Sequence, residues 1–406
     1  MPPVTIPALP ATRQLVDGPP PTTAVADRDA WHVAESARLA APVIRRQFGA
    51  GASVGVSELI RTGPRHVVSR VEVRTRRVVP LTVIVKRMLH DHDRGFTEWA
   101  ALDLIGASRA AAIAPRILGG DADCGVLVLE DFGRALSVDD LLRTGTVAAC
   151  SAALRSLATG YARLHSATVH LTERFDEIRA MLPHPPTEPE RRTEARRLLA
   201  GTGKIGAWFA AVGVDVPEGL GECIGRVAHT YAEPAGFLVL THGDPAPGNT
   251  HISPAGARIL DFEYAACRHA YYDITAWNVL CPLPAAVVGA MRRDYRAALA
   301  GGNSAPRDDS VERRAWAAMT AFRALSMLTW IDPDILHSDQ PWVDAWTRRA
   351  AVLSALERTR EAATGVSGLS ALALGTHTLG ARLEALWPEI TDKLPPFAVY
   401  SQANRR

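Results

Sequence analysis

The stretch Leu240 to Glu263, LTHGDPAPGNTHISPAGARILDFE, gathers His242, Asp244, Asn249, Asp261 and Glu263 into one short segment. Carboxylates, an amide and an imidazole are the groups that hold a hard cation or move a proton. The segment also alternates like two short strands on either side of Ser253 to Gly256, so it reads as a hairpin. With Ser253 to Gly256 as the turn, antiparallel pairing sets Ile252 near Ala257 and Asn249 opposite Leu260, next to Asp261. An amide oxygen and a carboxylate then meet at one end. They suit magnesium, which takes one or two protein carboxylates and completes its shell with water and substrate phosphates. Asp244, on the loop that enters the hairpin, becomes a candidate base. His242 reads as a hydrogen-bonded histidine that holds the loop, not as a proton carrier. Turn chemistry alone also places Asp, Asn, Pro and Gly in loops, so the chemical reading needs support from the rest of the chain.

The elements that must position these residues fall into two groups. The chain has 406 residues, 47% of them hydrophobic, enough for two domains or one large two-lobed unit. Residues 1–28, rich in proline and small polar residues, read as a flexible lead-in. From Asp29 to Phe48 apolar residues recur at helical spacing, with a kink expected at Pro42. SELIRTG, HVVSRVEVRT and PLTVIVKRM then read as strands of an antiparallel sheet, Arg94 to Ile105 as a helix, and GVLVLEDFG, from Gly125 to Gly133, as an extended run. From Ser137 onward, alanine- and leucine-rich helical segments dominate, broken by the proline-rich MLPHPPTEPE. Val311 to Trp330, Trp342 to Ala363 and Leu369 to Trp387 carry helical periodicity. The predicted class is α+β, with a small lobe over 29–127, a hinge over 128–135 and a helical lobe over 136–406.

The whole arrangement, His242-Gly243-Asp244-(x4)-Asn249 followed by Asp261-Phe262-Glu263, resembles the catalytic loop and metal motif of the aminoglycoside phosphotransferase and choline kinase family, which has the bilobal protein-kinase-like fold. Val83-Ile84-Val85-Lys86 is similar to the strand whose lysine touches the nucleotide phosphates. Glu98, twelve residues on, stands where the family places that lysine's ion-pair partner. LVLEDFG, with Glu130, resembles the segment between the lobes, and YARLHSAT resembles the helix end beneath the catalytic loop. The resemblance implies an ATP- or GTP-dependent phosphotransferase in which Asp244 orients or deprotonates an attacking hydroxyl. It also implies that Asn249 and Asp261 hold Mg2+, while Lys86, braced by Glu98, neutralises phosphate charge. The phosphate-covering loop departs from the family pattern: LIRTGPRHVVSRV offers only Gly63, with Ser69 or Arg65 as further candidates. Asp273 follows DFE within ten residues, leaving no room for a protein kinase's peptide platform. It is expected to hold the catalytic loop or to cap a helix beginning near Ile274.

The implied acceptor is a hydroxyl on a small molecule. Asp332, Asp334, Asp339 and Asp344 lie among tryptophans and favour an aminoglycoside-like or related aminosugar antibiotic, though helix caps and core tryptophans explain them equally well. The alternatives are a kinase of choline, homoserine or a sugar, and a nucleotide-binding pseudokinase scaffold. GASVG, Gly51 to Gly55, also matches a serine-hydrolase elbow at Ser53. That motif needs a strand before it and a helix after it, and here a helical pattern precedes it. LHDHDRG, with its HxH, reads as a solvated loop and not as a metal site. With 45 basic against 43 acidic residues, nothing favours a nucleic-acid partner. No run of eighteen apolar residues favours a membrane. Five scattered cysteines without a CxxC pair read as buried thiols of a reducing compartment, so a cytoplasmic monomer or homodimer is expected.

Overall fold

The computed structural model describes residues 25–76, 81–90, 92–300, 308–343, 346–390 and 397–403. Most of the expected lead-in, together with Pro80, Asp91 and Asp344, lies outside them. The chain divides into two compact units. The first holds the residues up to Ala135, with Glu173–Pro186 and Arg258–Ala265; the second holds Leu136–Thr172, Thr187–Ala257 and Ala266 onward.

In the first unit, α1 (Val25–Phe48) begins inside the segment expected to be flexible and runs on through Pro42 without ending. Arg45 and Arg46 in its last turn complement the helix dipole. Five strands follow in antiparallel pairing: β1 (Ser53–Thr62), β2 (His66–Arg74), β3 (Leu81–Met88), β4 (Ile117–Asp121) and β5 (Val126–Glu130), in the order β1-β2-β3-β5-β4. The fourth of these was not legible in the sequence. Its ILGGD has two glycines and little β-propensity, and Gly120 is required because a Cβ there would come within 2.5 Å of the Trp99 ring.

Strand alternation sets the two faces of this sheet. Val71 and Val73 of β2, Val83 and Val85 of β3, and Val126 and Val128 of β5 cluster with Ala40, Val43 and Ile44 of α1. Each fully buried valine contributes roughly 1.5–3 kcal/mol, so this face is fixed and the intervening residues must point the other way. Lys86 is one of those. The helix α2 (His92–Gly106) follows β3 closely because Gly95 has no Cβ; an added one would lie 1.4 Å from the Met88 sulfur. That close approach brings Glu98, three residues further along α2, onto the Lys86 strand.

The remaining chain is mainly helical: α3 (Val138–Thr144), α4 (Val147–Thr168), α5 (Thr172–Ala180), α6 (Glu190–Ala200), α7 (Thr202–Ala211) and α8 (Leu220–Ala232). Next come β6 (Leu238–Thr241), β7 (Thr250–Ser253), β8 (Gly256–Ile259) and β9 (Ala266–His269), in which β6 pairs with β9 and β7 with β8. The turn expected between Ser253 and Gly256 is present. The chain ends in α9 (Tyr271–Val279), α10 (Ala285–Ala300), α11 (Asp309–Trp330), β10 (Pro341–Val343), β11 (Trp346–Thr347), α12 (Arg348–Ala363), α13 (Ser370–Leu386) and α14 (Ala398–Ala403). The helix expected from Trp342 therefore begins only at Arg348, after two short strands. Among the described residues, no helix is long and apolar enough to cross a membrane.

Two competing readings meet the structure here. Helix α1 precedes the GASVG motif and Ser53 opens strand β1, the reverse of the strand-then-helix context that a nucleophile elbow needs. His92 lies in the first turn of α2 against Phe96, and no cluster of three or more His, Cys, Asp or Glu side chains is placed to hold a metal among the described residues. The five cysteines are free; four are buried and Cys124 is partly exposed.

Candidate active site

In the first unit, the Lys86 ammonium is buried and lies 2.7 Å from Glu98 Oε2, 2.5 Å from Asp261 Oδ1 and 3.6 Å from Glu263 Oε2. Burial alone would lower its pKa. Glu98, Asp261 and Glu263 outweigh that cost and hold it above the ordinary lysine value, so it stays charged. Asp261 has φ +66, a left-handed conformation uncommon for a side-chain-bearing residue and often found at functional sites. The next residue, Phe262, is fully buried and its N–H donates to Glu98 Oε1 at 3.3 Å, so Glu98 grips both the lysine and the backbone of the DFE segment.

The phosphate-loop candidates fare differently. Gly63 forms the β1–β2 turn, its N–H donating to His66 O at 3.0 Å. A Cβ there would lie 3.8 Å from that oxygen, so the turn does not depend on glycine. Ser69 is a correction. It pairs with Val85, on the valine face of the sheet, and its hydroxyl is fully buried away from the Lys86 face. The β2 residues that share the Lys86 face are His66, Val68 and Arg70, with Val68 directly opposite Lys86. His66 is buried 3.6 Å from Glu263, and burial followed by the Lys86 charge pushes its pKa down to about 4, so it is neutral near pH 7.

Glu130 is likewise turned away: it pairs with Val83, and its carboxylate accepts from Arg116 N at 3.2 Å. The next residue, Asp131, carries the local structure instead, accepting from Arg70 Nε at 2.7 Å, Thr82 Oγ1 at 2.6 Å and Gly133 N at 2.8 Å. The alternation of HVVSRVEVR was the available signal for both His66 and Arg70.

In the second unit, the loop from His242 to Asn249 is held by one buried carboxylate, that of Asp273. Asp273 accepts from His242 N at 2.7 Å and Gly243 N at 3.0 Å, and His165 Nε2 lies 3.2 Å away. Burial pushes the Asp273 carboxyl up, but His165, His242 and the Gly243 N–H pull it well below the usual carboxylate range. Asp273 therefore holds the loop. It does not cap α9, whose first residue is Tyr271. His165, near the end of α4, is fixed by the Tyr295 hydroxyl at 2.8 Å from Nδ1. His242 is fully buried beside Tyr161, as a structural histidine would be.

Gly243 has φ +89, which turns the chain so that Asp244 is exposed. Asn249 Nδ2 donates to the Asp244 backbone oxygen at 3.1 Å and lies 3.3 Å from its Oδ2. The amide nitrogen is thus committed to Asp244, and the amide oxygen is the end left for a hard cation. Asp261, a carboxylate with one oxygen on an ammonium, is of the same hard-donor type.

Two residues of the acidic segment, Asp332 and Asp339, bind backbone amides as caps and turns do. Asp332 Oδ1 accepts from Asp334 N at 3.1 Å, and Asp339 Oδ1 accepts from Gln340 N at 2.8 Å and Arg349 N at 3.1 Å. Trp346 is buried, while Trp330 is 59% exposed.

Residues 68–322 fit the model of a family described as phosphotransferase enzyme family, APH. Among solved structures, choline kinase LicA from Streptococcus pneumoniae aligns at 12% identity and TM-score 0.42, covering 82% of this chain and 98% of that one. Macrolide 2'-phosphotransferase MphH from Brachybacterium faecium aligns at 16% identity and TM-score 0.44, covering 78% and 96%. An ADP-bound aminoglycoside phosphotransferase, APH(2'')-Ib, aligns at 10% identity and TM-score 0.44, covering 72% and 92%. No curated protein sequence matches.

Proposed function

The chain belongs to the phosphotransferase enzyme family, and from that premise we propose that it is a small-molecule kinase, moving the γ-phosphoryl group of ATP or GTP to a hydroxyl of an aminoglycoside-like or related aminosugar. The observation that carries this reading is the buried Lys86 ammonium, 2.7 Å from Glu98 and 2.5 Å from Asp261. Burying the Lys86 and Glu98 charges beside a third is costly, and the arrangement is of the kind that phosphoryl transfer uses to receive a phosphate chain.

Lys86 neutralises phosphate charge, and Glu98 fixes its direction. Ile84 and Leu129, paired in register on the Lys86 face, supply apolar surface for a purine. Asn249 and Asp261 would hold magnesium, which when bound would supply positive charge against the nucleotide phosphates. Asp244 accepts the proton of the attacking hydroxyl or orients it. The short path from Glu263 through β9 to α9 supports a small acceptor over a peptide. A cytoplasmic setting fits free thiols and a nucleotide substrate.

A second reading of the acceptor is favoured by Asp332 and Asp339. Their contacts to backbone amides account for them without a cationic sugar, which favours a metabolite alcohol such as choline, homoserine or a sugar. The experiment is a nucleotide-consumption screen with aminoglycosides, macrolides, choline, homoserine and sugars, with product mass measured. Acceptor-dependent consumption with one phosphoryl group added to the product supports the kinase. Tight nucleotide binding without transfer to any acceptor would favour the scaffold reading instead.

A further inference from the structure

The β1–β2 loop offers a single glycine, Gly63, and two residues on stands an arginine. Arg65 sits on that turn, and its backbone oxygen accepts from Leu89 N at 2.7 Å, fixing the loop to the chain just beyond β3. Its side chain is held at two points. Nη2 lies 2.8 Å from Glu263 Oε1, and Nη1 donates to the Tyr264 hydroxyl. Tyr264 is itself steadied by Arg94, whose guanidinium carbon lies 3.9 Å from the ring centroid.

Glu263, at 3.6 Å from Lys86 Nζ, bridges the two cations, so the Arg65 guanidinium is one carboxylate away from the Lys86 ammonium. The two differ in access: the Lys86 side chain is 5% exposed and that of Arg65 is 42% exposed. Neither contact of Arg65 uses Nε.

We propose that Arg65 is a phosphate-binding residue of the nucleotide site: Glu263 and Tyr264 orient its guanidinium, and its remaining N–H groups meet the terminal phosphates of the bound nucleotide. The assignment rests on the kinase reading above. A guanidinium offers five donors in a planar fork that matches phosphate oxygens, and two are engaged among the described residues. Holding the side chain in advance removes most of the rotamer entropy that an arginine would otherwise lose on binding. An arginine on a proline-containing turn thus does with its side chain what a glycine-rich loop does with backbone amides.

The test is equilibrium binding of magnesium-ATP, and of adenosine as a phosphate-free probe, to the full-length wild type and to Arg65→Ala, Arg65→Lys and Tyr264→Phe. Arg65→Ala is expected to weaken magnesium-ATP binding by roughly 10- to 100-fold while leaving adenosine binding and the melting temperature unchanged. Arg65→Lys should recover part of the loss, since it keeps the charge but not the fork. Tyr264→Phe should show a smaller loss in the same direction. If Arg65→Ala weakens both probes equally, or neither, the residue is only a strap between loop and DFE segment and the assignment is overturned. If the wild type binds neither probe, the nucleotide reading falls and this assignment with it.

Discussion

The Lys86 cluster and the catalytic loop organise their reactive groups in opposite ways. In the first, the groups assigned to chemistry are one another's partners: Lys86, Glu98, Asp261 and Glu263 form a continuous set of ions, buried except for the partly exposed Asp261. In the second, Asp244 is exposed, and the holding is done by Asp273, which receives the backbone N–H groups of His242 and Gly243. Function and stability are therefore merged in the first region and divided between two residues in the second. Substitution separates them accordingly.

The largest effect is expected at Lys86. Lys86→Met leaves the fully buried Glu98 without its counter-ion, which should destabilise the fold by about 3–5 kcal/mol and also reduce turnover by roughly 10²- to 10³-fold. Denaturant titration and steady-state rates would measure both losses. A variant that loses turnover with no loss of stability would break the claim that the two are merged there.

Asp273→Asn should cost roughly 3 kcal/mol of stability because the neutral amide replaces a buried acceptor of two backbone N–H groups and His165. The pH dependence has a definite sign. The Asp273 carboxyl is depressed below its ordinary 3.8, so its contribution is present above that pH and is lost as pH falls toward the folded value. Acid unfolding followed by circular dichroism should show a shallower loss below pH 4 in the variant.

His66 sharpens the contrast on the first side. Its pKa falls from 6.5 to about 4 on folding, so the unfolded chain takes up the proton first and stability decreases as pH drops between those values. His66→Asn should flatten that slope, by on the order of 2–3 kcal/mol across the window. The smallest effect belongs to Ser69→Ala. The hydroxyl is buried on the valine face, so nucleotide KM and turnover should both stay at wild-type values.

The sequence was most legible where chemistry and spacing coincide. HGD, Asn249, DFE, VIVK and Glu98 were all readable because short motifs fix residue type at fixed offsets, and the structure places Lys86, Glu98 and Asp261 in contact. It was least legible where a side chain's direction depends on register. Ser69 was preferred as a hydroxyl near a phosphate loop, although the alternation of β2 already set it on the side of Val71 and Val73. Glu130 was misplaced for a related reason: the end of β5 places successive side chains on opposite faces, and Glu130 pairs with Val83 on the valine face. The β4 strand was hidden by two glycines, and helix α1 starts at Val25, inside the proline-rich segment read as a flexible lead-in. The acidic segment around Asp332 to Asp339 was ambiguous because a cap and a substrate ligand have the same composition.

The most direct test of the account is Asp244→Asn in the full-length protein, assayed for phosphoryl transfer to an accepted alcohol and, in parallel, for magnesium-nucleotide binding. The account predicts a loss of turnover of roughly 10²- to 10⁴-fold, with nucleotide affinity and melting temperature close to wild type. Turnover undiminished in that variant would contradict it.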